Sequence, residues 1–150
     1  MRGRPMASIR PLTELDIQEI TEIDEKIQGE YRPQAWETKI LYYIRRDPDA
    51  SQVAEVDGKV VGFMLGEIRS GEFGLEKPVG WIEVLGIDPA YQGQSLGRQM
   101  AERMLAHFTA QGATLVKTLV PEGMESIGDF FRKIGFKRST IQPLEKRIKE

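Results

Sequence analysis

The stretch DPAYQGQSLGRQM, residues 88–100, joins an apolar run to an amphipathic one and carries Gly93 and Gly97 on either side of Ser95. The run before it, GWIEVLGI, reads as a strand. After it, Leu96, Met100, Met104, Leu105 and Phe108 keep the spacing of one helix face, which Gly112 closes. A strand passing through a glycine-rich turn straight into a helix commits the chain to a sheet with helices packed on it. The turn also raises a chemical question. A plain turn needs one glycine and a helix interior none, so two of them either admit a ligand to the backbone or make a loose connection.

The remaining segments supply the partners of that unit. IRPLTELDIQEITEIDEKI opens as a short strand and becomes a helix, with Thr13 and Asp16 spaced as a capping box and Gly29 as the stop. Its apolar stripe is Leu15, Ile20, Ile23 and Ile27. Pro33 suits the first turn of a second helix, in which Trp36, Ile40 and Ile44 recur every four residues until Asp47-Pro48. QVAEVDGKVVGFMLGEI predicts a β-hairpin turning at Asp57-Gly58, and Ser70 to Pro78 predicts a loop. ATLVKTLV predicts a strand stopped by Pro121. A short helix is predicted over Ser126–Ile134, ended by Gly135, and FKRSTIQPLEKRI supplies one or two last strands. The order β-α-α-β-β-β-α-β-α-β predicts a single α/β or α+β domain with a mixed sheet over residues 9–150, after a flexible tail at 1–8.

Composition narrows the chemistry. A chain of 150 residues without cysteine has no disulfide framework, thiolate nucleophile or thiolate metal site. His107 is the one histidine, so neither a histidine-rich metal centre nor a serine triad is expected, and no metal is. A net charge of −2 argues against a nucleic-acid partner, although Arg2 and Arg4 make the tail basic. No apolar run approaches the roughly 20 residues of a membrane span, and MRGRPMAS lacks a signal peptide's apolar core. The expectation is a cytoplasmic protein with no membrane partner.

At the start of a helix, unpaired backbone N–H groups and the positive end of the helix dipole favour a phosphate-bearing ligand. Absent side chains at Gly93 and Gly97 would bring phosphates to the backbone, and Arg98 adds a charge. A bare strand-to-helix turn fits the same spacing. The turn is neither a P-loop, which needs Gly-Lys-Ser/Thr, nor the dinucleotide fingerprint G-x-G-x-x-G.

A strand, Asp88-Pro89, Gln92-Gly93-Gln94-Ser95-Leu96-Gly97 and a helix together resemble the acetyl-CoA motif of the GNAT superfamily of N-acetyltransferases, Arg/Gln-x-x-Gly-x-Gly/Ala. The resemblance runs from IRPLTELDI to FFRKIGF, through most of the chain. It implies a central, mostly antiparallel sheet with splayed central strands, flanked by helices. It implies acetyl-CoA as co-substrate, its pyrophosphate held by backbone amides at Gln92, Gly93, Gln94, Ser95, Leu96, Gly97 and Arg98. The pantetheine arm would pair with the strand at Leu85, Gly86 and Ile87. The acceptor would be a small-molecule or peptide amine, and a homodimer is compatible.

The departures bear on mechanism. Ser95 stands where the family usually has a glycine; its amide remains, and its small side chain suits a helix start. Met124 and Phe131 fall where the family often places an asparagine and a tyrosine. Phe131, at the cofactor site by resemblance, cannot donate a proton to a departing thiolate. That departure leaves open an acyl-CoA-binding module without catalysis.

For the base, Glu83 shares a strand face with Trp81, Leu85 and Ile87 by simple alternation, and apolar neighbours would raise its pKa. A solvated strand end, or a bulge that breaks the alternation, is the other reading. His107 reads as a surface residue suited to a helix C-terminus. Tyr91 reads as a loop residue, Trp36, Tyr42 and Tyr43 as core, and Arg132 and Lys133 as a charged helix face. The resemblance implies acceptor contacts from Gln28–Pro33 and from a C-terminal hairpin around Thr140–Leu144; Glu25 and Glu30 read either as attracting a cationic amine or as ordinary surface acids.

Overall fold

The computed structural model describes residues 7–70 and 77–149. Most of the expected tail, 1–6, and most of the expected Ser70–Pro78 loop, 71–76, lie outside the described residues. By internal packing the chain divides into units Met1–Leu119 and Val120–Glu150.

In the first unit, β1 (Ser8–Pro11) begins at the last residue of the expected tail. Thr13 and Asp16 close the expected capping box, each side chain bonded to the other's end of the turn, and α1 (Ile17–Gln28) follows. Gly29, at φ 83°, ends it in the left-handed conformation that glycine adopts freely. Only part of the predicted stripe is buried. Ile20 and Ile23 are in the core, whereas Leu15 is 87% exposed and Ile27 is also exposed. Leu15 belongs to the capping turn, so it falls off the helix face that Ile20 continues.

Pro33 opens α2 (Pro33–Arg46), and Asp47 caps its end. The hairpin of β2 (Gln52–Val56) and β3 (Lys59–Arg69) turns at Asp57 and Gly58, both at positive φ, as an Asp-Gly turn requires. β4 (Val79–Ile87), α3 (Leu96–Ala110) and β5 (Leu115–Thr118) complete the unit. The sheet runs β1-β2-β3-β4-β5, antiparallel except for the parallel pair β4/β5. Two layers cover it. Ile20, Ile23, Trp36, Ile40 and Tyr43 from α1 and α2 form one core with Val53, Val60, Phe63 and Leu65. On α3, Met100, Met104 and Phe108 are fully buried and meet the sheet at Gly62, Gly66 and Gly80.

The second unit holds α4 (Glu125–Lys133), close to its predicted bounds. The expected last strands are not formed: residues 137–149 carry neither helix nor strand and are exposed. The physical reason lies in the pattern. Ile141, Leu144 and Ile148 are three and four residues apart, so they give no face of period two, and Pro143 removes a donor. Among the described residues the chain forms a mixed five-stranded open sheet and four α-helices.

Candidate active site

β4 is paired on both sides only in its first half. Its parallel register with β5 runs from Val79↔Leu115 to Ile82↔Thr118, where the Thr118 hydroxyl donates to the Ile82 carbonyl at 2.8 Å. Leu85, Gly86 and Ile87 pair with Met64, Phe63 and Gly62 of β3 on one side. On the other side, among the described residues, no strand adjoins them. That half-strand offers an open edge of backbone donors and acceptors to any extended ligand. Gly86 is required there by packing: a Cβ would stand 2.4 Å from the Phe63 ring.

The open edge leads directly to the helix start. Asp88 is buried, accepts from the Ala90 amide at 3.0 Å and caps a short turn, Pro89–Tyr91. Its other carboxylate oxygen receives Lys26 Nζ from the last turn of α1 at 2.8 Å. Burial opposes the charge on Asp88, but the Lys26 and Ala90 hydrogen bonds outweigh it and hold its pKa below the usual carboxylate range. The loop's origin is therefore pinned to α1.

Gly93 then turns at φ 81°, and α3 makes its first backbone bond from Gln99 N–H to the Ser95 carbonyl at 3.0 Å. The amides of Leu96, Gly97 and Arg98 precede that bond and are the helix's orphan donors. Gln92, Gly93, Gln94 and Ser95 are exposed, while Leu96 and Gly97 are buried. The Arg98 side chain is exposed and lies 3.3 Å from Glu102, one turn along.

Ser95 differs from its expected role. It lies at φ 63° and ψ 19°, left-handed, and makes no side-chain capping bond. A capping serine needs extended backbone to turn its hydroxyl onto the first helical amides. This position has the conformation of a glycine, occupied by a serine.

Glu83 also has surroundings other than those alternation implies. The β3/β4 register pairs Ile82 with Gly66 and Val84 with Leu65, so Glu83 is the extra residue of a β-bulge. The bulge swaps the faces beyond it, and Leu85 and Ile87 do not share the face of Trp81. Nor is the carboxylate buried among apolar groups. Glu83 is exposed, with 29% of its side chain accessible, and Arg69 Nη2 donates to its Oε1 at 2.7 Å. The buried Tyr43 hydroxyl faces it as well: burial and the charges of Glu83 and Glu67 push that phenol up. Tyr43 thus lies in the core, as expected, with its polar end at the site.

The remaining candidates have the following surroundings. His107 Nε2 lies 2.7 Å from Asp47 Oδ2, beside the end of α2. In the Gln28–Pro33 segment, Arg32 pairs with Asp24 at 3.0 Å and Tyr31 hydrogen-bonds Gln18, while Glu25 and Glu30 are exposed. No hairpin forms at Thr140–Leu144. Phe131 is buried, edge-on to Phe130 and Phe136, and Met124 is exposed at the start of α4 without a capping bond. Sequence reasoning missed Glu67, Arg69 and the Lys26–Asp88 pair. A signal existed for the first two: the only charges within the apolar run VVGFMLGEIR stand two apart, on one strand face.

An open strand edge feeding a helix N-terminus presents backbone groups suited to an extended, phosphate-bearing ligand. The model of the acetyltransferase (GNAT) family matches residues 17–136. The chain belongs to that family. A mycothiol acetyltransferase of Thermobispora bispora is 31% identical over 101 residues, covering 67% of this chain and 34% of the relative. One from Thermobifida fusca is 35% identical over 95 residues, 60% of this chain and 29% of the relative. The chain thus spans about a third of the length of these curated relatives. An aminoglycoside N-acetyltransferase solved with CoA superposes with a TM-score of 0.83 at 16% identity, over 98% of this chain and 97% of that one. A Trypanosoma brucei acetyltransferase gives 0.73 at 23% identity, over 95% and 100%. The fold is that of the GNAT acetyltransferases. Among the described residues, no helix is long and apolar enough to cross a membrane.

Proposed function

We propose that the chain is a cytoplasmic N-acetyltransferase that moves an acetyl group directly from acetyl-CoA to the amine of a small molecule. The observation that carries this reading is the open edge of β4 at Leu85–Ile87 running into the orphan amides of α3. The pyrophosphate of acetyl-CoA would lie on the backbone at Gln92–Arg98 and its pantetheine arm along Leu85, Gly86 and Ile87. A small-molecule acceptor is supported by relatives named for mycothiol and by a fold neighbour named for aminoglycosides.

Without a cysteine or a serine–histidine pair, transfer is direct. Glu83 takes a proton from the acceptor ammonium, which frees the nitrogen lone pair. The nitrogen attacks the thioester carbonyl and gives up a second proton to water, the C–S bond breaks, and the amide and a CoA thiolate result. That thiolate, with a thiol pKa of about 8.5 by analogy to cysteine, leaves near neutral pH without a general acid and takes its proton from water.

Phe131 in place of a proton donor favours a second reading, an acyl-CoA-binding module without turnover. Steady-state assay against a panel of amines separates the two. Under the main reading the wild type turns over at least one amine, and Glu83→Gln lowers kcat by about 10²–10⁴-fold while leaving acetyl-CoA affinity nearly unchanged. Wild-type turnover in Glu83→Gln removes Glu83 from the mechanism. No turnover of any amine by a wild type that binds CoA supports the module.

A further inference from the structure

The bulge that presents Glu83 also deprives it of a cross-strand neighbour, since no β3 residue stands opposite it. A part-exposed glutamate without such a neighbour takes its orientation from its side-chain contacts. The Tyr43 hydroxyl faces it, and Arg69, the last residue of β3, bonds it directly. Its Nη2 donates to Glu83 Oε1 at 2.7 Å, its Nε donates to Glu67 Oε1 at 2.9 Å, and its guanidinium carbon stands 5.1 Å from the centre of the Trp81 ring. The fork thus bridges two carboxylates over an indole face, a geometry that a lysine's point charge does not reproduce.

The bridge has one fixed end. Glu67 is 2% exposed and paired in register with Trp81, and its Oε2 is buried without a hydrogen-bond partner. The half-exposed Tyr42 beside it has its hydroxyl pushed up by Glu67 but does not satisfy Oε2 in hydrogen-bond geometry. An apolar residue opposite Trp81 would avoid the penalty of a buried, part-satisfied carboxylate. A carboxylate is nonetheless there, and its bonded oxygen is the one that holds Arg69.

We infer that Arg69, anchored by Glu67 and stacked on Trp81, is the positioning residue for Glu83. It engages one oxygen of the Glu83 carboxylate and aims the group at the acceptor nitrogen. The inference rests on Glu83 being the base.

The test is a double-mutant cycle with chemical rescue. Arg69→Ala lowers kcat on the order of 10²-fold, the loss that a small misplacement of a reacting group produces, and leaves the KM for acetyl-CoA unchanged. In a Glu83→Gln background, Arg69→Ala lowers kcat no further, because its effect passes through Glu83. Guanidinium chloride, at concentrations far below those that unfold the protein, restores part of the activity of Arg69→Ala and none of Glu83→Gln. If Arg69→Ala does not fold, Arg69→Met, which keeps the stem on Trp81 without donors, carries the same expectations. Unchanged kcat in the Arg69 variants, or an equal loss in both backgrounds, overturns the inference while leaving Glu83 as base. A Glu83→Gln enzyme with wild-type kcat overturns the base and the inference together.

Discussion

Ser95 occupies a backbone conformation that costs an L-residue about 1–2 kcal/mol, at φ 63° and with no capping bond in return. Ser95→Gly removes that penalty and adds the entropy lost by a freer unfolded chain, about 0.5–1 kcal/mol, so stability stays level or rises slightly. The amide is retained in the variant. Acetyl-CoA affinity is therefore expected to change by less than about 1.4 kcal/mol, or tenfold, with denaturant midpoints and calorimetry as the measurements. A larger loss of affinity would make the hydroxyl itself a phosphate ligand. At this scale the sequence is legible for what a residue lacks and less so for what surrounds it. Gly93 was legible as a turn residue, since its φ of 81° suits a residue without Cβ. For Glu83 the sequence left alternation and a bulge both open, and the bulge is what forms; nothing in WIEVLGI marks the extra residue that changes which side chains share its face.

Lys26–Asp88 ties α1 to the loop before α3. Asp88 has its pKa lowered, so its contribution to stability is present above the usual 3.8 and is lost as pH falls through its lower folded value. Lys26 has its pKa raised by the same pair, so its contribution is present below the usual 10.5 and is lost as pH rises through its higher folded value. Asp88→Asn keeps an acceptor for the Ala90 amide but no charge. Its Tm should fall below wild type across the window between those values, and the gap should close at either extreme. A gap of constant size from pH 3 to pH 11 would show that the charge pair is not its source. Helix and hairpin ends were legible, since Thr13, Asp16, Pro33, Asp57 and Gly58 act through their own backbone geometry. The Lys26–Asp88 pair spans 62 positions and leaves no local pattern.

Across the whole molecule, the mixed sheet followed from the order of apolar runs, and its failure came where the pattern was weakest, at 137–149. The open second half of β4 corresponds to an opening that family resemblance alone implied, because where two strands stop pairing depends on contacts that neither strand's sequence encodes by itself. Under the proposed function, that open edge, leading to the start of α3, is what makes the chain a binder of acetyl-CoA. Calorimetric titration of acetyl-CoA into the wild type and into Gly97→Asp tests it most directly. The wild type should show one site per chain that adenosine alone does not reproduce. Gly97→Asp should show no binding, because a carboxylate would stand among the orphan amides of Leu96, Gly97 and Arg98 against the pyrophosphate. Wild-type affinity in a folded Gly97→Asp protein, or equal binding by adenosine, would contradict an acetyl-CoA site at the start of α3.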